Sequence, residues 1–83
     1  MILYQLTHSQ PSILSLVSSE DALLFRQDGV YQLLLAQHWP TAQLYALAQD
    51  LADRQLQAPA GVTVIADTQW VALTLTATQV ILC

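Results

Sequence analysis

Short apolar runs alternate with polar breaks along the whole chain, and the spacing within the runs switches between strand-like and helix-like. Ile2 to Leu6 is long enough for one strand, with Ile2, Tyr4 and Leu6 on one face and Leu3 on the other. Thr7 to Pro11 reads as a loop, and Pro11 suits a helix start. Ile13, Leu14, Leu16 and Val17 then recur at the spacing of a one-sided helix over Ser12 to Ser18. Ser19-Glu20-Asp21 is a return turn into a short apolar run, Ala22 to Phe25, which predicts a buried strand. Gln27-Asp28-Gly29 breaks that run sharply. Gly29 is able to take the positive φ of a tight turn, and Asp28 is placed to cap a helix over Val30 to Ala36. That helix should stop around Gln37 to Trp39, because Pro40 prevents continuation.

The second half repeats the alternation. Gln43 to Leu47 predicts a third strand, and Ala48 to Leu56 a helix with Leu51, Ala52 and Leu56 on one side. Gln57 to Gly61 is a loop, and the β-branched run Val62 to Ala66 a fourth strand. Residues 68–77 fit two readings. Val71, Leu73 and Leu75 alternate as in a strand, while Asp67 or Thr68 could cap a helix over the same residues. The helix is preferred, because a right-handed crossover is needed before Val80 to Cys83 can join the sheet in parallel. The fold class expected is therefore α/β, three layers (α/β/α) around a mainly parallel sheet of four to five strands. Residues 1–83 should form a single domain.

Composition adds a constraint on the surface. Charged residues make up 10% of the chain and hydrophobic ones 54%, against roughly a quarter charged in typical domains. A domain of 83 residues has much surface per residue, so this chain has too few charges to coat itself and should carry an apolar patch that another subunit covers. The net charge is −4, with two Arg and no Lys. Arg26 and Arg54 cannot build a basic patch, which argues against direct nucleic-acid binding. No run approaches the ~20 apolar residues of a membrane span. The start of the chain lacks the basic region of a signal peptide, and a single cysteine suits a reducing compartment, so a cytoplasmic location is expected.

Candidate chemistry is sparse. Cys83 is the one obvious nucleophile, but beside a terminal carboxylate it is poorly placed to form a thiolate and reads better as a small residue ending a strand. His8 and His38 have no metal-type partner nearby in sequence, so neither a metal site nor a cofactor is expected. His8, just past the first strand, lies where parallel sheets gather ligands. His38 suits a helix C-terminus. Asp28 would repel a phosphate and reads better as a cap; neighbouring Gln27 shares its position without the charge. Trp39 and Trp70 fit either core packing or an interface anchor. His8, Gln27, Asp28 and Trp39 are thus the candidates for a cleft or interface, with no catalytic residue assigned.

Three segments together resemble the TusB/DsrH family of sulfur-relay subunits. They are the opening Met1-Ile-Leu-Tyr-Gln-Leu-Thr-His-Ser9, the stretch Glu20-Asp-Ala-Leu-Leu-Phe-Arg-Gln-Asp-Gly-Val-Tyr31, and Leu44-Tyr-Ala-Leu-Ala-Gln-Asp-Leu-Ala-Asp-Arg-Gln-Leu56. The resemblance implies assembly with two paralogous subunits of the same fold into a heterohexamer that passes persulfide sulfur between carrier proteins. In many bacteria such a relay supplies 2-thiouridine at the tRNA wobble position; in sulfur oxidisers it serves dissimilatory sulfur metabolism. The sulfur-bearing cysteine belongs chiefly to a paralogue, after its third strand, and near Ala46 and Leu47 this chain has none. Its first helix has none either, and these absences favour the tRNA-thiolation type with a non-catalytic role. The family often ends in a Trp-containing tail, whereas this chain ends in Ile-Leu-Cys. No position of the family supports Cys83 as a sulfur acceptor, so its role stays open, and a sulfurtransferase using Cys83 directly is the alternative reading.

Overall fold

Five strands, β1 (Ile2–Leu6), β2 (Ala22–Phe25), β3 (Leu44–Leu47), β4 (Val62–Ile65) and β5 (Gln79–Leu82), pair in the order β4-β3-β2-β1-β5, every pair parallel. The structure is a computed structural model and describes residues 1–7, 11–34 and 39–82. The expectations for His8, His38 and Cys83 fall outside these residues. The connections are a 3-10 helix at Pro11–Leu16, a second at Gln27–Leu34, helix α1 at Ala48–Asp53, and helix α2 at Asp67–Thr76.

The strand order determines how the two faces are filled. Steps β1 to β2, β2 to β3 and β3 to β4 all run in one direction across the sheet, and the return from β4 to β5 runs in the other. Since parallel crossovers are right-handed, three connections fall on one face and α2 alone on the opposite face. The core divides accordingly. Tyr4, Leu6, Leu23, Phe25, Leu44 and Ala46 meet Val17, Val30, Leu33 and Leu51 on the first face. Leu3, Ala22, Leu24, Leu47 and Ile65 lie on the second, with Trp70 and Leu73 of α2 packed against them. β2 is buried on both faces throughout, as its unbroken apolar run requires.

The alternation of strands and helices, the parallel sheet and the helix over 68–77 stand as the sequence predicts. The early helices differ in kind. Both are 3-10 rather than α, and the second begins at Gln27 instead of Val30. In consequence Asp28 lies inside this helix and is not its cap. The positive φ also falls on a different residue: Gln27 has φ 48°. Gly29 is required for another reason, because a Cβ there would overlap the Leu6 carbonyl oxygen. The glycine thus lets the second 3-10 helix press against the end of β1. At α2 the expected caps Asp67 and Thr68 are both already helical; the Ala66 N–H is satisfied instead by Gln69 Oε1, 2.8 Å away.

The turn before β2 is held by polar groups. Asp21, almost fully buried, accepts hydrogen bonds from the N–H groups of Ile2 (3.1 Å) and Ser18 (3.0 Å) and from the Ser18 hydroxyl (3.1 Å). Buried Thr41 donates its hydroxyl to the Asp21 carbonyl at 2.7 Å and accepts the Gln43 N–H at 3.1 Å. These bonds tie the starts of β1, β2 and β3 together.

Gly29→Ala should lower the free energy of unfolding by about 1–3 kcal/mol, since the obstruction is backbone and cannot rotate away; a urea titration that matches the wild type would contradict the close-approach account. The hydrogen bonds from Ser18 and then Ile2 hold the Asp21 carboxyl below its ordinary value, outweighing the opposing effect of desolvation. A carboxyl with a lower pKa when folded than when unfolded stabilises the fold above the unfolded value. That contribution disappears as pH falls through the lowered folded value. Asp21→Asn should therefore lower Tm near neutrality and flatten its decline into acid, as followed by circular dichroism across a pH series.

Candidate functional site

The carboxyl ends of parallel strands are where such sheets bind ligands, and here three side-chain groups gather at those ends. The first joins the second 3-10 helix to α1. Arg54, just past α1, donates to Asp28 Oδ1 from Nη2 at 2.9 Å and from Nε at 3.2 Å, and its Nη1 donates to the Asp50 carbonyl at 3.1 Å. The Asp28 hydrogen bond is the main reason the Arg54 pKa is raised. Asp50 Oδ2 accepts the Gln27 N–H at 2.8 Å, bracing the residue with left-handed backbone. Tyr31 lies against the Arg54 guanidinium, 5.9 Å from its ring centroid.

Of the four cleft or interface candidates, this group takes up Gln27 and Asp28. Both are exposed, and both serve the junction between helices. Trp39 lies elsewhere, half-buried with its ring edge-on to Phe25 at 5.0 Å between centroids. His8 lies outside the described residues.

A second feature is a cavity of about 320 Å³ between the starts of α1 and α2, lined by Ala48, Gln49, Ala66, Asp67 and Thr68. It follows β3 directly, the place where the resemblance would put a sulfur-carrying cysteine. Ala46 and Leu47 end the strand there, and residues 1–82 contain no thiol. Among the described residues no group of three His, Cys, Asp or Glu side chains is placed to hold a metal ion. The cavity offers one carboxylate and one hydroxyl, and no thiol.

In the third group Trp70 was weighed from sequence as core packing or an interface anchor, but Arg26 and Gln5 were not singled out. Arg26 follows β2, and strand alternation turns it away from Phe25 towards the α2 side. Its Nη1 donates to Gln5 Oε1 at 3.1 Å, and its Cζ lies 4.3 Å from the centroid of the Trp70 ring. Arg26 Nε and Trp70 Nε1 are buried without a hydrogen-bond partner among the described residues. Among the described residues Arg26 forms no ion pair, although all six Asp and Glu side chains are among them and Arg54 takes two. The signal was present in the sequence: a cation directly after an apolar strand in an acidic chain, on the strand face shared with Gln5 and Leu24.

Together these features define a parallel α/β domain with a thiol-free strand end and a sheet face that one helix covers incompletely. The family model described as DsrH like protein matches residues 6–80, and the chain belongs to this DsrH-like family. No curated protein matches the chain. Family membership places the chain among the subunits of sulfur-relay complexes. No helix among the described residues is long and apolar enough to cross a membrane.

The exposed Arg54–Asp28 pair should contribute little to stability. Asp28→Ala is expected to cost under about 1 kcal/mol, in contrast to Phe25→Ala at about 3–5 kcal/mol. Equal losses in denaturant unfolding would overturn the view that Asp28 only braces the helix junction.

Proposed function

We propose that this chain is a non-catalytic subunit of a heterohexameric sulfur relay, one domain over residues 1–83, assembled with two paralogous subunits of the same fold. In this reading the complex passes persulfide sulfur between carrier proteins in the cytoplasm and supplies 2-thiouridine at the tRNA wobble position. The observation that carries the proposal is the DsrH-like family match combined with a thiol-free end of β3. A relay station needs a cysteine that can form a thiolate in a shaped pocket. The cavity after β3 has the position but not the residue, so the sulfur-carrying step falls to a paralogue. With two Arg, no Lys and a net charge of −4, the subunit meets carrier proteins rather than the tRNA itself. It needs no cofactor or metal of its own for this role.

Co-expression with the two paralogues should yield a single species of hexamer mass by light scattering, and a chain that stays monomeric in that mixture would end the proposal. Loss of the gene should deplete 2-thiouridine from hydrolysed tRNA; intact 2-thiouridine with impaired sulfur oxidation would assign the complex to dissimilatory sulfur metabolism. Incubation with a persulfide donor should leave the Cys83 peptide without a 32 Da gain, about one sulfur atom, in mass spectra. A gain there that is then passed to the thiol of a carrier protein, freeing the Cys83 thiolate, would make the subunit a sulfurtransferase in its own right.

A further inference from the structure

We propose that the α2 side of the sheet is a subunit-docking surface, whose occupant is a protein subunit of different sequence that lays an uncharged surface on α2 and β5 and presents a carboxylate to Arg26. The proposal rests on the sulfur-relay reading for the existence of partner subunits; the surface, the cation and the chemistry of the occupant come from the structure.

The first support is geometric. Five strands spaced about 4.8 Å apart make a face about 19 Å across between the outer strand axes, whereas a helix with side chains is about 10–12 Å wide. A single helix therefore cannot cover this face. The shortfall shows at its flanks and on the helix itself. None of the α2 residues is fully buried. A groove of about 320 Å³ is open between α2 and the strands, lined by residues that include Tyr45, Thr63, Ile65 and Leu73. On the far flank, β5 leaves Val80 41% and Leu82 68% exposed. Val71 and Leu75, one turn apart on α2, are 56% and 81% exposed. A helix apolar on its outer as well as its inner side is the kind found with protein on both sides.

The second support is charge. Between Leu56 and Leu82 the only charged side chain is Asp67, so the surface of α2, β4 and β5 resembles the desolvated centre of an interface. Arg26 stands beside it as a cation without a carboxylate, stacked on Trp70 and hydrogen-bonded only to neutral Gln5 among the described residues. Covering that face would remove water from the guanidinium, and an unpaired charge under a lid is strongly unfavourable. The occupant must therefore bring an acceptor of opposite charge, for which an Asp or Glu carboxylate matches the guanidinium fork. A second copy of this chain brings another net charge of −4, which opposes self-association. The other exposed apolar residues lack this combination: Tyr31, for example, lies beside the paired cation Arg54.

The test uses the complex formed with the two paralogous subunits. Amide hydrogen exchange in residues 67–82 should slow on assembly, with the 3-10 helix at Pro11–Leu16 on the opposite face much less affected. Arg26→Glu should weaken assembly at least about 30-fold, Arg26→Lys less, and an acid-to-Arg change at the contacted partner position should restore binding to Arg26→Glu. Leu75→Asp is a second variant, at a site exposed enough for the isolated chain to keep its fold, and it should weaken assembly too. A wild-type complex that forms with unchanged exchange in residues 67–82 overturns this inference and leaves the relay reading standing. Failure of the wild-type chain to assemble at all overturns both. Concentration-dependent dimers of the isolated chain that protect residues 67–82 would make the occupant a second copy, and would equally overturn the proposal.

Discussion

A right-handed crossover fixes the side of a parallel sheet on which each connection runs, and the order β4-β3-β2-β1-β5 therefore decides how the two faces are filled. Three connections pack one face, and one ten-residue helix is left for the other. The fully buried cluster around Phe25, Leu6 and Val30 belongs to the crowded side. The sparse side keeps its interior small, with Leu3, Ala22, Leu24, Leu47 and Ile65 at its centre. The unusual composition follows from the same asymmetry. An 83-residue chain that is 54% hydrophobic has apolar residues left over once its core is made, and many of them, including Val71, Leu75 and Leu82, lie on the side with one helix.

The fold was largely legible because period-2 and helical spacing alternate cleanly from Ile2 to Ala66, and because parallel strands demand crossovers. That demand settled residues 68–77, where the alternation of Val71, Leu73 and Leu75 pointed to a strand. Tertiary topology overrode the local pattern there, and no helical amphipathicity was available to read because Val71 and Leu75 face outward. The 3-10 character of the two early helices was not legible. Both are short segments whose geometry is set by how closely they must approach the sheet, and Gly29 against Leu6 shows how tight that approach is.

The candidate site was less legible than the fold, for an electrostatic reason. Sequence reasoning weighed residues one at a time, which led to His8, Gln27, Asp28 and Trp39 as cleft or interface candidates and set Cys83 aside as a strand-ending residue. The distinctive feature of Arg26 is relational: among the described residues it lacks the carboxylate that Arg54 has in duplicate. Nothing in the order of residues says which arginine the acids will reach. Arg54 lies on the side where the second 3-10 helix and α1 bring Asp28 and Asp50 together, while Arg26 is turned by strand alternation to the side where α2 contributes only Asp67.

The stretch Asp21 to Tyr31 consequently serves both faces at once. Asp21 anchors the start of β2 to β1 and to the preceding turn, and Gly29 seats the second 3-10 helix on the end of β1. Phe25 fills the crowded face, and Arg26, one residue later, reaches the sparse one. This local order suits a scaffold. The crowded face carries the larger buried cluster, built against three connections. The sparse face keeps a cation that stacks on Trp70 and donates to Gln5, while Arg26 Nε and Trp70 Nε1 stay without a partner among the described residues. In the role we propose, a subunit without a thiol in residues 1–82 contributes to the relay through such a surface: the sheet sets where the open face points, and the open face determines which neighbour it holds in place.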